Sequence, residues 1–356
     1  MTNLRIFIIL TILCTLSSCT EDINQEDSFD RGPILLNLAD NIIIPSYKAL
    51  ETKNIALTQA TEKFIETRDE ETLAALKLAW QEARLTWKSA EAFNFGPIES
   101  LALETSMDLW PTNESGLEES IMLYNNSDDY LLSIGSDKKG YAAIEYMLFA
   151  SSPENTISAF DDENRREYLN LLALDLNSIS WKVLQEWKDN YRDLFVVSLG
   201  NGVGSSLTQL TNEFIATIET IKNFKVATPL GLRSIDGPLP NKVESYYAKI
   251  SIALIISNLN TINDIFEGKG GASLDDYLDG LQIRNDGVLL SQDILTQIQK
   301  CKSAASEIDM LSDAVINDAE KVEQLFIELQ QLTVITKTDM MSRLGLVVTF
   351  SDNDGD

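Results

Sequence analysis

The sequence predicts an all-α protein made of two helical bundles lying side by side, and three observations predict it. Apolar residues recur every three or four positions along most of the chain, the spacing of one helix face; Leu207, Leu210, Phe214, Ile218 and Ile221 are one such stripe. Strand signals are scarce until Leu344 to Phe350, near the end. Residues 57–67 match residues 207–217 at seven of eleven positions, 150 residues apart, which points to two similar halves joined near residue 200. A chain of 356 residues, 44% hydrophobic, is ample for two packed domains. We divide it into a signal segment (1–18), an acidic tether (19–29), a first bundle (30–199) and a second bundle (200–356).

The first residues read as an export signal. Arg5 is followed by the apolar run Ile6 to Leu16 and then by small residues up to Cys19. The run is short for a membrane-spanning helix. Leu16-Ser17-Ser18-Cys19 resembles the bacterial lipobox, whose cysteine is acylated and becomes the mature N-terminus; the alternative is an ordinary signal peptide with an incidental cysteine. The acidic residues after it, Glu21, Asp22, Glu26 and Asp27, resemble the surface-export signal of some bacterial lipoproteins.

The elements follow in order. Asp30-Arg31-Gly32-Pro33 opens a helix that Pro45 should kink or end, and a second helix runs through Leu57 to Phe64. Between Glu71 and Asn94, one stripe holds Leu73, Leu76, Trp80, Arg84, Trp87, Glu91 and Asn94. A largely buried face that carries an arginine and a glutamate must satisfy both. Alternatively, Arg84 packs its stem on the tryptophans and reaches water. Phe95-Gly96-Pro97 stops this helix, and residues 125–129 read as a loop. A further long helix carries Leu172, Leu176, Ile179, Val183 and Trp187, and Gly200 to Gly204 reads as a domain linker. In the second half, helices are expected near 205–224, 241–266, 289–311 and 318–338.

One stretch sets the functional question. Gly140 to Phe149 is apolar on almost every side, as a buried helix is, and carries a single charge, Glu145. A buried carboxylate needs a partner. The chain has no histidine, so Ser-His-Asp, Cys-His and imidazole zinc sites are excluded. Cys301 falls on the apolar stripe Ile294, Ile298, Cys301, Ala305, Ile308 and reads as an inert buried thiol. What remains is oxygen chemistry, which suits calcium, magnesium, manganese or ferric iron. The net charge of −27 makes nucleic acid an unexpected partner, because phosphate binding needs a basic surface. The tail Asp352-Asn353-Asp354-Gly355-Asp356 begins like a calcium loop but ends before the glutamate that closes one.

Taken in order, several stretches resemble the imelysin family. They are Trp80 to Pro97, Asp108-Leu109-Trp110-Pro111, Gly140 to Tyr146, Pro238 to Tyr246 and Phe350 to Asp356, so the resemblance covers roughly residues 30–356. It implies two helical bundles related by pseudo-symmetry, with a site in the cleft between them. It also implies an envelope location, often lipid-anchored and linked to iron uptake, and by family name a peptidase activity. The family has Gly-x-His-x-x-Glu where this chain has Gly140-Tyr141-Ala142-Ala143-Ile144-Glu145. Alanine at 142 removes the nitrogen ligand that would share a helix face with Glu145.

The reading that follows is a lipid-anchored, non-catalytic binding module of the cell envelope. It would be attached to the outer membrane through Cys19 and face the periplasm or the cell surface. Its ligand would be an oxygen-ligated cation (iron or calcium) or an iron-bearing molecule. Arg84, Glu91, Glu145, Glu244 and Ser245 are the candidate binding residues, with Glu145 the candidate metal ligand. Glu145 could instead simply neutralise Arg84. The alternatives are an imelysin-type metallopeptidase and a structural envelope component.

Overall fold

The structure is a computed structural model that describes residues 29–127 and 129–349. The signal segment, Cys19, most of the acidic tether, Asp128 and the acidic tail from Phe350 lie outside the described residues. The fold is all-α. Its main helices are α1 (Gly32–Asn37), α2 (Ile44–Thr67), α3 (Glu70–Ala90), α4 (Glu114–Met122), α5 (Gly140–Phe149), α6 (Glu163–Glu186), α7 (Arg192–Val197), α8 (Ser206–Thr220), α9 (Ser251–Glu267), α10 (Leu290–Ser306) and α11 (Ala319–Val334). Helix α2 packs on α3 and α6, α9 packs on α3 and α10, and α10 packs on α11. The α3–α9 contact joins the two halves of the chain, and the buried apolar residues from Ile34 to Leu346 form one continuous core.

Local chemistry explains the helix starts. Asp69 caps α3: its side chain accepts from Thr72 N, and Thr72 returns a bond to the Asp69 backbone. Asn113 and Asp162 cap α4 and α6 by accepting from Gly116 N and Arg165 N, without the return bond. The matched stretches at 57–67 and 207–217 lie in α2 and α8. Leu57, Thr58, Thr61 and Phe64 are buried, as are Leu207, Thr208, Thr211 and Phe214.

Several expectations are corrected. Pro45 does not end a helix: a π-helical turn, Leu38–Ile43, runs into α2, and Pro45 sits in the first turn of α2. The wider turn moves the carbonyls that the proline ring would meet. Similar π turns follow α6, α8 and α11 at Trp187–Tyr191, Ile221–Ala227 and Ile335–Met340. The helix expected from 241 begins only at Ser251, because Ser245 and Lys249 have left-handed backbones, with φ of 58° and 59°. The helix expected over 289–311 ends at Ser306, and Leu311–Asn317 is separate. Leu344 to Thr349 is not a strand. The described residues instead hold a minimal antiparallel pair, β1 (Arg284–Asn285) and β2 (Val288–Leu289), closed by Asp286-Gly287.

Candidate functional site

Helix α5 is buried at all but two of its ten residues. Its first residue is held hard against the chain: a Cβ on Gly140, which has φ +72°, would lie 2.3 Å from the Met107 carbonyl oxygen. Only glycine permits that approach. The contact fixes Glu145, one and a half turns along α5, relative to Asp108, the residue after Met107.

Glu145 has its partners. Its Oε2 accepts from Arg84 Nη1, and its Oε1 accepts from the backbone N–H groups of Tyr247 and Ala248, both at 2.9 Å. Those N–H groups are free because the chain from 243 to 250 is not helical. The interrupted segment that sequence periodicity missed therefore supplies half the coordination of Glu145. Arg84 also reaches Asp108, with Nη2 at 3.0 Å from Oδ1, and lies over the Trp80 ring at 5.3 Å.

The pair belongs to a larger buried network. One turn past Arg84, Lys88 Nζ lies 2.8 Å from Asp108, 2.8 Å from Glu244 and 2.7 Å from Glu91. Lys225 Nζ lies 2.9 Å from Glu244 and 2.7 Å from Asn258 Oδ1. Asn258 Nδ2 donates to Glu91 Oε2 and to the Lys88 carbonyl, both at 3.0 Å. The contacts of Glu244 are ion pairs by distance, without well-directed hydrogen bonds. Burial opposes the charge on Arg84 and Lys88, but Asp108 and Glu244, with Glu145 for Arg84 and Glu91 for Lys88, outweigh it and raise both pKa values. Burial likewise opposes the charge on Glu91 and Glu244, yet Lys225 and Lys88 hold both carboxyls below the usual carboxylate range.

The five candidate residues thus come together. Arg84, Glu91, Glu145 and Glu244 are members of one network, and Ser245 is next to it. Sequence reasoning missed Lys88, Asp108, Lys225 and Asn258 as site residues. Lys88 had a readable signal, since it sits four residues after Arg84 on the same face. Lys225 had none, because it lies in the π turn after α8 and meets the network only through tertiary packing.

A cavity of about 400 Å³ opens above Glu145. Its wall includes Trp110, Thr112 and Glu114 from one side, Ala142 and Glu145 from α5, and Ser245, Tyr246 and Tyr247 from the other half. Ala142 is buried, and its short side chain leaves the cavity open there. The Ser245 hydroxyl is buried, as is Thr112 Oγ1, and neither has a hydrogen-bond partner. Tyr247 closes one edge by donating its hydroxyl to Glu114. On the far side of the network, a second cavity of about 280 Å³ is lined by Glu91, Asn94, Glu104, Glu213 and Lys225. A wider depression of about 550 Å³, lined by Thr296, Lys300, Gln324 and Glu328, lies away from these groups.

Together these features define an all-α protein with a buried charge network beneath a cleft that both halves of the sequence line. Residues 43–337 match the peptidase family model described as imelysin, and the chain belongs to the imelysin family. Iron-regulated protein A of Synechococcus elongatus is 24% identical over 256 residues, 69% of this chain and 67% of that protein. The crystal structure of an imelysin-like protein from Psychrobacter arcticum 273-4 superposes with a TM-score of 0.75 at 20% identity, covering 90% of this chain and 97% of that one. A structure assigned as an iron-regulated protein A precursor, from Parabacteroides distasonis, gives 0.73 at 21% identity, covering 86% and 93%.

A catalytic metal of the kind a peptidase name implies does not fit these residues. Ala142 has no ligand atom, and both oxygens of Glu145 are bonded within the protein. Among the described residues, no group of three or more His, Cys, Asp and Glu is placed to hold a metal ion.

Proposed function

We propose that this protein is a non-catalytic binding module of the cell envelope, anchored by a lipid on Cys19. Its ligand is an iron-bearing molecule held in the cavity at Ala142, Glu145 and Ser245, between bundles at 30–199 and 200–356. The observation that carries the reading is the unpartnered Ser245 hydroxyl, buried in the wall of a cavity whose carboxylate is already engaged. A buried donor left unmade costs free energy, so a ligand oxygen is its natural partner. Because Glu145 is held by Arg84 and two backbone amides, the site suits a chelate that brings its own metal ligands better than a bare cation. The iron-regulated relatives supply the reason to choose iron.

Trp110 lines the cavity and provides the test. Titration with gallium citrate, a non-quenching stand-in for ferric citrate, is expected to change tryptophan emission saturably, and ferric citrate to compete. Citrate alone should bind more weakly. Ala142→Trp, which intrudes into the cavity, and Ser245→Ala should both weaken binding. No response to either chelate, or equal binding by Ala142→Trp, would sink the proposal.

A further inference from the structure

No helix of the described residues is long and apolar enough to cross a membrane. One end of the molecule is suited to surface contact with one. Leu194 and Val197, three residues apart on α7, are 63% and 71% exposed, and Leu199 and Val203 in the following loop are exposed as well. Val347 and Val348 extend this patch. Asn212 Nδ2 donates to Val347 O at 2.8 Å and to Thr208 O at 2.7 Å, while Thr208 Oγ1 donates to Asn201 O at 3.1 Å. In the first turn of α7, Arg192 pairs with Asp40 at 2.7 Å and with Asp193 at 2.8 Å. Six exposed aliphatic side chains from two separate stretches are more than the scattered apolar residues of an ordinary surface.

The start of the described chain identifies what covers the patch. Arg31 Nη1 donates to the Leu199 carbonyl at 3.1 Å, and Phe29 stacks on Tyr277 at 4.5 Å. Phe29 is ten residues after Cys19, a stretch that spans at most roughly 36 Å. A lipid on Cys19 therefore holds this end of the molecule close to the bilayer.

A second exposed apolar group, Met122, Leu123 and Leu132, sits elsewhere. Asn164, at the start of α6, donates to Met122 O at 3.4 Å. Helix α6 continues through its π turn into α7, so Asn164 and Leu194 are thirty residues, or roughly 45 Å, apart along one helical rod. A surface touching the Leu194 end leaves Leu132 in water.

We infer that the face formed by Leu194, Val197, Leu199, Val203, Val347 and Val348 rests on the lipid surface and orients the anchored protein. The inference rests on the lipid attachment proposed above. The acyl chains supply the attachment, and the aliphatic face, entering the boundary between headgroups and chains, fixes which side faces the bilayer. The cleft is carried on the far side: Tyr247, at its edge, is tied to Glu114 on α4, and Glu118 of α4 pairs with Arg165 at 2.8 Å near the start of α6.

The test uses the full-length, acylated protein in phosphatidylethanolamine/phosphatidylglycerol vesicles. Val203→Cys and Val197→Cys, labelled with an environment-sensitive fluorophore, are compared with Leu132→Cys. Buried Cys301 does not compete for the label. The expected result is a blue shift and quenching by brominated lipid at 203 and 197, with neither at 132. Labels at 203 and 197 that stay in water, or a label at 132 that enters lipid, overturn the docking face. Mass spectrometry of the same protein separates the two levels: Cys19 without acyl chains overturns the anchoring itself, and the docking face with it.

Discussion

Lys88→Met is the sharpest probe of the network. Lys88 is fully buried and lies 2.7 to 2.8 Å from three carboxylates, Glu91, Asp108 and Glu244. Methionine nearly matches its length and removes the charge together with the hydrogen bond to Glu91. The network then holds Arg84 and Lys225 against Asp108, Glu145 and Glu244, which are withdrawn from bulk water, and Glu91, which is partly exposed. Breaking a buried pair by deleting one partner costs about 3–5 kcal/mol, because the other charge is left uncompensated. At about 2–4 °C per kcal/mol, the melting midpoint should fall by roughly 10 °C. The assay is thermal unfolding at pH 7 followed by circular dichroism, with Lys53→Met as control. Lys53 pairs with Glu82 at 2.8 Å in the open, where such a pair contributes little. Adding Glu244→Gln to Lys88→Met should restore part of the loss by removing one surplus negative charge. If Lys88→Met melts with the Lys53→Met control, the network is not a coupled buried unit and the reasoning fails.

Other predictions follow from the same geometry. Burial, and then Glu104 and Glu99, push the Glu213 carboxyl from 4.5 up to about 8. Between those values the folded state holds more protons than the unfolded chain, so stability falls as pH rises through that window. Glu213→Gln should flatten this fall, and an unchanged slope counts against it. Glu244 has the opposite sign. Held below the usual carboxylate range, it stabilises the fold above about 4.5, and that contribution is lost as pH falls toward its folded value. Burial pushes the Cys301 thiol up to about 12, so iodoacetamide at pH 8 should label it only after unfolding; rapid native labelling would contradict the packing. Ala142→His should not create a tight zinc site while Arg84 and two amides hold Glu145. A zinc-dependent rise in melting temperature would refute that.

Much of the fold was legible because helix periodicity is local. The stripes from Leu73 through Arg84 to Trp87, through Leu172 to Trp187 and through Leu207 to Ile221 all lie on helices with those faces buried. The failures fall where backbone geometry departs from a simple period. The segment 241–250 reads as amphipathic helix, yet two left-handed residues break it, and its freed amides serve Glu145. Nothing in the spacing of a π turn announces that Lys225 will meet Glu244.

By itself, the sequence determined the all-α class, the lack of imidazole chemistry and the need of Glu145 for a partner. Each follows from composition or from the period of a single helix. The tertiary structure alone decided which partner Glu145 has, that Lys88, Asp108, Lys225 and Asn258 join it, and that position 142 opens onto a cavity. Charges burying one another across 61 to 160 residues of sequence are matched by distance in space, and no local pattern encodes that distance.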